Sequence, residues 1–292
     1  MSIFPTKILL ATDGSEDAEL AATTAVGVAR STASELHVVH TYRTVPSVHF
    51  DALVRQEMER EAQGILDEQV KQIEGLGGSV AQARLSEGGA AEEIVASAEE
   101  MGAGLIAVGS RGRGRIRRLL MGSVSDAVIR HAHYPVIVVR GKPVVFPAKM
   151  LLATDGSEEA TLALQTAADL SEKTGSELHV VHVGEVTLGY HPERHGYRIQ
   201  HERDEKEARE LLETQVEGIK AAVSTVAQAH LRMGKADEHI VVLAEELGAD
   251  LIVMGSRGLG GVKRALMGSV SESVVRHAHC PVLVVRGARA EA

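Results

Sequence analysis

The sequence predicts an α/β protein of two tandem doubly wound domains, each a five-stranded parallel sheet with helices on both faces. The first observation is that the chain contains an internal repeat, with its second half similar in sequence to the first. "ILLATDGSE" at Ile8 returns as "MLLATDGSE" at Met150, and "MGSVSDAVIRHAH" at Met121 returns as "MGSVSESVVRHAH" at Met267. The second is that short apolar runs alternate with helical patterns within each copy, which is typical of parallel sheets. We expect domains at residues 1–142 and 147–292, each long enough for its own core.

The elements can be assigned in order along the first copy. "KILLAT" at Lys7 is a continuous apolar run, which indicates a strand buried on both faces. Ser15 can cap the helix that follows, "EDAELAATTAVGVARS". The remaining strands are "ELHVVHTY", "SVAQARLS", "GLIAVGS" and "PVIVVR", and the remaining helices are "ALVRQEMEREAQGILDEQVKQIEGL", "AAEEIVASAEEMG" and "SVSDAVIRHAH". We expect the strand order 3-2-1-4-5, which makes strands one and four neighbours where the order reverses.

Composition excludes several classes of protein. The 292 residues carry a formal net charge of -9, which argues against a nucleic-acid or membrane-surface role. Cys280 is the single cysteine, so a disulfide framework and a cysteine metal site are excluded. The start of the chain lacks the pattern of a signal peptide, and the apolar runs fall short of the ~18 residues that a membrane span needs. We therefore expect a cytoplasmic protein.

Two loops in each copy should form the ligand site, because ligands of open parallel sheets lie at the carboxyl ends of strands next to the switch point. One loop follows strand one and carries Asp13. The other follows strand four and is rich in glycine. Its glycines and serine are spaced as G-x2-G-x9-G-S, and the same spacing occurs in the second copy. The positions are Gly109, Gly112, Gly122 and Ser123, and then Gly255, Gly258, Gly268 and Ser269. No Lys-Ser or Lys-Thr follows the glycines, so this is not a P-loop.

In both halves this spacing resembles the ATP-binding branch of the universal stress proteins, from "ATDGS" after strand one to "PVIVV" or "PVLVV" in strand five. The resemblance implies one ATP per domain, with Asp13 and Asp155 against the adenosine portion. It implies nucleotide-binding positions at Ala11, Thr12, Asp13, Thr41, Val108, Gly109, Gly112, Gly122, Ser123, Val124, Ala153, Thr154, Asp155, Val183, Met254, Gly255, Gly258, Gly268, Ser269 and Val270. Mg²⁺ is expected with the triphosphate, without a dedicated protein site.

Physical chemistry agrees with that implication and also offers simpler readings. Glycines let backbone approach phosphate oxygens and adopt positive φ, and a helix that starts at Ser123 favours an anion. Alternatively, Asp13 and Asp155 are ordinary Asp-Gly turn residues and the serines are N-caps. The basic residues near the loops are either a solvated face, a means of phosphate neutralisation or a partner contact. They are Arg111, Arg113, Arg115, Arg117 and Arg118 in the first copy, and Arg257, Lys263 and Arg264 in the second.

Structural roles for the histidines are considered before metal binding or pH sensing. The "RHAH" pairs end a helix and should interact with its C-terminus, with metal binding as the alternative. His37 and His40 lie three apart on a strand and should point to opposite faces. The histidines near the insertion of copy two, in segment 184–201, should lie in a solvated loop or form a weak metal or pH-sensitive patch. The "RHAH" pairs are His131 with His133 and His277 with His279, and the insertion carries His191, His195 and His201. Cys280 has Tyr134 as its counterpart, which argues against a catalytic thiol.

The leading functional hypothesis is a regulatory ATP-binding protein of the stress response, signalling by nucleotide occupancy with slow or no hydrolysis. The first alternative is a slow ATPase or a phosphoryl or nucleotidyl transferase, although the motif loops contain no evident base. The second is a nucleotide-free interaction scaffold, like family members that lack the glycine motif. In the family, the fifth strands commonly meet in a dimer. We therefore expect an internal domain pair or a homodimer through strand five, and an unidentified regulatory protein partner.

Overall fold

The computed structural model describes residues 4–44, 52–112, 121–141, 148–186, 188–191, 196–199, 201–222, 226–259 and 267–287. The first half contains β1 (Lys7–Thr12), α1 (Glu16–Thr32), β2 (Glu35–Tyr42), α2 (Ala52–Gly75), β3 (Val80–Glu87), α3 (Ala90–Met101), β4 (Leu105–Gly109), α4 (Ser123–His131) and β5 (Val136–Val139). The second half contains β6 (Lys149–Ala153), α5 (Glu158–Thr174), β7 (Glu177–Gly184), β8 (Leu188–His191), β9 (Gly196–Ile199), α6 (His201–Ala222), β10 (Gln228–Met233), α7 (Ala236–Leu247), β11 (Leu251–Gly255), α8 (Ser269–His277) and β12 (Val282–Val285).

Ten strands form one continuous sheet, in the order β10-β7-β6-β11-β12-β5-β4-β1-β2-β3. Read from the outer edge inward, each half has the order 3-2-1-4-5, so the predicted topology is confirmed. In this ten-stranded sheet the pairings within each half are parallel, whereas β5 and β12 pair antiparallel at the centre. The carboxyl ends of β1 and β4 therefore lie side by side at the switch point of the first half, and those of β6 and β11 in the second.

The alternation of side chains along β1 explains why its sequence is apolar throughout. Ile8 and Leu10 belong to a core cluster that includes α1 and α2, whereas Leu9 and Ala11 belong to a second cluster that includes α3 and α4. Both faces of the strand are thus covered by helices, as the continuous apolar run predicts. Ser15 caps α1, because its Oγ accepts a hydrogen bond from the Ala18 N–H at 3.3 Å.

The insertion of the second copy departs from the expected loop. β8 and β9 pair antiparallel as a small two-stranded sheet, with Leu188 opposite Ile199. His191 ends β8 and His201 begins α6, so neither lies in a loop, and His195 falls outside the described residues. The expectation of a loop was wrong for His191 and His201, because "LGYH" and "GYRI" pair as strands and α6 begins at His201.

The two halves are also joined by an ion network beneath the central strands. Arg130 on α4 contacts Asp126 at 2.9 Å and, across the junction, Glu272 on α8 at 2.7 Å. Arg276 on α8 contacts Glu272 at 2.6 Å and Asp126 at 3.6 Å. Each helix thus supplies one acid and one base, so the network ties α4 to α8. The internal pairing predicted for strand five is present, and these four residues accompany it.

Among the helices that the structure describes, none combines the length and apolar character needed to cross a membrane.

A buried histidine pair at the edge strand β10 should make stability depend on pH. His230 Nε2 lies 3.1 Å from His179 Nδ1, and the rings stack at 5.4 Å. Burial lowers the pKa of His230, with further lowering by His179 and Arg232 and partial compensation by Glu246. The folded state therefore disfavours the protonated ring, while the unfolded chain binds a proton near pH 6.5. We expect the free energy of unfolding to fall as pH drops below about 6.5.

Urea unfolding of His230→Gln at pH 7.5 and pH 5.5 tests this. The variant should lose less stability between the two pH values than the unsubstituted chain does. His133→Gln, at an exposed position, serves as the control. An equal loss in His230→Gln and the unsubstituted chain would contradict the assignment.

Candidate functional site

The loops after β1 and β4 meet at the switch point, as expected. Ala11 on β1 pairs with Val108 on β4, which brings the following residues of both strands together. A Cβ placed on Gly112 would collide with Asp13 Oδ2, so the loop backbone lies directly on that carboxylate. The second half repeats the arrangement, since a Cβ on Gly258 would collide with Asp155 Oδ2. The structure therefore brings the predicted aspartates and the middle glycines together.

The aspartate also shapes its own turn. Asp13 Oδ1 accepts a hydrogen bond from the Ser15 N–H at 3.1 Å, and Asp155 Oδ1 accepts from Ser157 at 3.0 Å. This is the side-chain turn that Asp favours two residues before an N–H. In the second half, Asp155 Oδ2 also accepts from the Leu259 N–H at 2.9 Å. Asp155 can therefore be both a turn residue and a site residue, because its two carboxylate oxygens accept from different loops.

The first motif glycine is required for packing and not for positive φ. A Cβ on Gly109 would lie 2.7 Å from the carbonyl carbon and oxygen of Asp17, at the start of α1. The equivalent Gly255 meets the backbone of Glu159 at 2.9 Å. The expectation of positive φ was wrong for these glycines. The turn after strand one has that conformation instead, with φ of 69° at Gly14.

The third motif glycine joins the loop to the helix. The Gly122 N–H donates to Ser110 O at 2.8 Å, and the Ser125 Oγ–H donates to the same carbonyl at 2.9 Å. Gly122 is the N-cap of α4, and Ser123 is the first helical residue, so the N-cap reading of Ser123 was wrong. A glycine N-cap offers no side-chain acceptor, which leaves the N–H groups of the first turn available to an anion. Gly268 and Ser269 occupy the same positions in α8.

Buried Ser110 and Asp17 form a cluster with the exposed Arg111 under the loop, and sequence reasoning missed this cluster. Ser110 Oγ donates to Asp17 Oδ2 at 2.6 Å, and Arg111 Nε lies 3.3 Å from the same oxygen. Ser110 is fully buried. The counterpart in the second half is tighter, because the Glu159 carboxylate accepts from Ser256 Oγ, Arg257 N and Arg257 Nε. A signal was present, since "GSRG" occurs in both copies.

The cluster partly settles the role of the basic residues. Arg111 and Arg257 are ion-paired to Asp17 and Glu159, so they hold the loop against the helix that follows strand one. The remaining basic residues of the prediction lie outside the described residues. They are Arg113, Arg115, Arg117, Arg118, Lys263 and Arg264.

A second set of missed residues fixes the end of strand one. Thr12 Oγ1 donates to Gln69 Oε1 on α2 at 2.6 Å, and His40 Nδ1 lies 2.6 Å from Thr12 O. Facing a carbonyl, Nδ1 must carry the proton and donate. His182 Nδ1 and Thr154 O repeat the contact at 2.8 Å. "HVVH" occurs in both copies. Its second histidine donates to the carbonyl of the residue before the aspartate and so positions Asp13 or Asp155.

The other predicted positions line the periphery. Ala11, Val108, Ala153 and Met254 are buried at the strand ends beneath the loops. Thr41 and Val183 lie at the ends of β2 and β7, across β1 or β6 from the glycine loop. Val124 is 40% exposed and Val270 is partly buried, both in the first turn of a site helix.

An open cleft of about 330 Å³ lies beside Gly14, between α1 and α2. Glu19, Glu61 and Glu68 are among its lining residues. Carboxylates disfavour a triphosphate, so this cleft does not suit the phosphate side of a nucleotide.

The remaining histidines and the cysteine have structural surroundings. His131 Nδ1 and His277 Nδ1 each lie 2.8 Å from a carbonyl in the last turn of their helices, in keeping with a C-terminal role. Among the described residues, no group of three or more His, Cys, Asp or Glu could hold a metal ion. Burial raises the pKa of the Cys280 thiol to about 12, which keeps the thiol protonated at neutral pH.

Comparisons with known proteins agree on the kind of chain this is. It is similar to a universal stress protein of Mycolicibacterium smegmatis, with 34% identity over 185 residues, and the match spans 62% of this chain and 61% of that protein's length. Universal stress protein YxiE of Bacillus subtilis is 39% identical over 148 residues, covering 47% of this chain and 98% of YxiE. The crystal structure of a universal stress protein from Archaeoglobus fulgidus shares 28% identity and a TM-score of 0.73, covering 98% of this chain and 97% of that one.

The model of the universal stress protein family matches twice, at residues 5–140 and 148–286. Both matches contain the loop after strand one, the glycine loop and the helix that follows it. With both halves of the sequence and the whole sheet accounted for, the chain belongs to the universal stress protein family.

Proposed function

We propose that the chain is a regulatory ATP-binding protein of the stress response with two nucleotide sites, in domains 1–142 and 147–292. The observation that supports it most is the repeated juxtaposition of Asp13 with Gly112, and of Asp155 with Gly258, beside a helix that starts at a glycine cap. A carboxylate can accept from ribose hydroxyls, and free N–H groups at a helix start can bind phosphate. Ser123 and Ser269 are exposed at those starts and can add their hydroxyls.

Binding rather than turnover is the activity that these residues favour. Phosphoryl transfer requires a residue that positions the nucleophile near the terminal phosphate. Asp17 and Glu159 are engaged with serine and arginine, and Asp13 and Asp155 shape the turn after strand one. We therefore propose slow or absent hydrolysis, with Mg²⁺ held by the phosphates, and a cytoplasmic location with a regulatory protein partner.

Isothermal titration of the purified chain with Mg-ATP tests the proposal. We expect two sites per chain, and we expect Asp13→Ala to weaken the first by about 10- to 100-fold, the range given by a hydrogen bond to a charged group. Asp67→Ala is the matched control, because that aspartate is exposed on α2 and its carboxylate accepts from Gln63 of the same helix. Absence of nucleotide binding would favour the scaffold alternative. Many turnovers per minute, lost in Ser123→Ala with Ser269→Ala, would favour the enzyme alternative.

A further inference from the structure

The helices that carry the candidate phosphate sites run from those sites to the junction between the two halves. α4 starts beside the glycine loop of the first half and ends near β12 of the second. α8 does the reverse. Each helix is only nine residues long, so its two ends are about 13 Å apart. A contact at the C-terminus of such a helix therefore bears on the placement of its N-terminus.

An arginine from the opposite half binds the C-terminus of each helix. Arg140, directly after β5, donates from Nη1 to Val275 O and Ala278 O at 3.4 Å each, and to Arg276 O. Arg286, directly after β12, donates from Nη1 to Ala132 O at 2.6 Å and to Arg130 O at 3.3 Å. The last carbonyls of a helix lack intrahelical donors and carry partial negative charge, which a cation stabilises.

Each arginine also adjoins the candidate site of its own half. The Ser110 N–H, under the first glycine loop, donates to Val139 O at 2.8 Å, and Arg140 is the next residue. Ser256 N–H and Val285 O repeat this contact at 2.9 Å beside Arg286. Burial lowers the pKa of Arg140, Arg111 lowers it further and Asp17 raises it, so the cluster under the loop acts electrostatically on this guanidinium. In the second half, burial lowers the pKa of Arg286, Glu159 raises it and Arg257 lowers it.

We propose that Arg140 and Arg286 are positioning residues that act across the junction. Each holds the C-terminus of the helix whose N-terminus forms the phosphate side of the other half's site. This rests on the proposed function of those N-termini as nucleotide sites. Each arginine directly follows the valine whose carbonyl accepts from the serine under the loop of its own half, and it also binds the site helix of the other half. Occupancy of one site therefore changes the affinity of the other, and the effect is reciprocal.

Titration of singly blocked variants tests the cross-junction action. Gly112→Val places a side chain on Asp13 and leaves the second site as the reporter. In that background, Arg140→Ala should weaken ATP binding about three- to tenfold, the range expected for a cation at a partly buried helix terminus. Arg140→Lys should restore most of the affinity, and Arg286→Ala should change it by less than about twofold. The pattern should invert with Gly258→Val, so equal effects of both arginines on one site would overturn the proposal.

Hydrogen exchange of the nucleotide-free chain gives a readout that does not depend on ATP. Arg140→Ala should speed amide exchange about threefold at Gly268 and Glu272, whose N–H groups are hydrogen-bonded at the start of α8, and leave Gly122 and Asp126 at the start of α4 unchanged. Arg286→Ala should do the opposite. If the chain binds no ATP, the proposed function fails, and this exchange pattern alone decides whether the arginines act along the helices. Faster exchange confined to 276–278, or spread equally over both helices, would overturn the inference.

Discussion

Replacing Gly112 and Gly258 with valine is expected to remove ATP binding at both sites while the fold persists. In each half a Cβ at this position would occupy the place of the aspartate Oδ2. The carboxylate is the far end of a side chain, so it can swing away without shifting the backbone, but it then weakens its turn hydrogen bonds and leaves the position proposed for the ribose. Both glycines are exposed and lie outside helices and strands. We expect affinity to fall at least about a hundredfold and each substitution to lower the free energy of unfolding by about 1 kcal/mol, the contribution of a typical hydrogen bond.

Titration calorimetry measures the first quantity and urea unfolding the second. Gly218→Val is the matched control, because it adds the same side chain to an exposed glycine of α6 that has open space around it. Undiminished ATP binding in the double valine variant would place the nucleotide elsewhere. A large loss of stability would mean that Gly112 and Gly258 serve the fold and not the site.

Replacing Gly109 with alanine is expected to have the opposite profile, a large loss of stability. Its Cβ would lie 2.7 Å from the Asp17 carbonyl and 2.9 Å from the Ala18 nitrogen. Backbone atoms at the start of α1 cannot move without shifting the helix against β4. Overpacking of this kind costs about 1–3 kcal/mol. At Gly255 the contacts begin at 2.9 Å and include the Glu159 Cβ, so Gly255→Ala should cost less.

Urea unfolding of the two alanine variants, with Gly64→Ala as the control, checks this order. The midpoint should fall most for Gly109→Ala and less for Gly255→Ala. Gly64→Ala should stabilise slightly, since alanine favours a helix over glycine by about 1 kcal/mol. An unchanged midpoint in Gly109→Ala would show that β4 and α1 are not packed as closely as described.

The architecture could be predicted because its causes are local. Strands buried on both faces require continuous apolar runs, and Ser15 shows the cap chemistry that starts a helix. Because the sequence is duplicated, each of these patterns could be checked in a second copy. Strand order followed from the rule that ligand loops flank a switch point, and both halves obey it.

What could not be predicted depends on contacts between distant residues. The carboxylate of Asp17 meets Ser110 across 93 residues of sequence, and nothing in either segment indicates the other. The motif spacing located the glycines but not the reasons for them. Gly109 is confined by helix backbone, whereas Gly112 is confined by the aspartate. Arg140 was passed over because its role arises only when β5 and β12 pair.

The antiparallel pairing of β5 with β12 within one chain has a consequence for how the molecule responds to dilution. A pair of separate subunits would separate at low concentration, but here the linker between the halves keeps their local concentration high whatever the amount of protein. The halves are also free to diverge at facing positions, as Tyr134 and Cys280 already have. One chain can therefore carry two unequal domains in a fixed one-to-one ratio, which identical subunits cannot do.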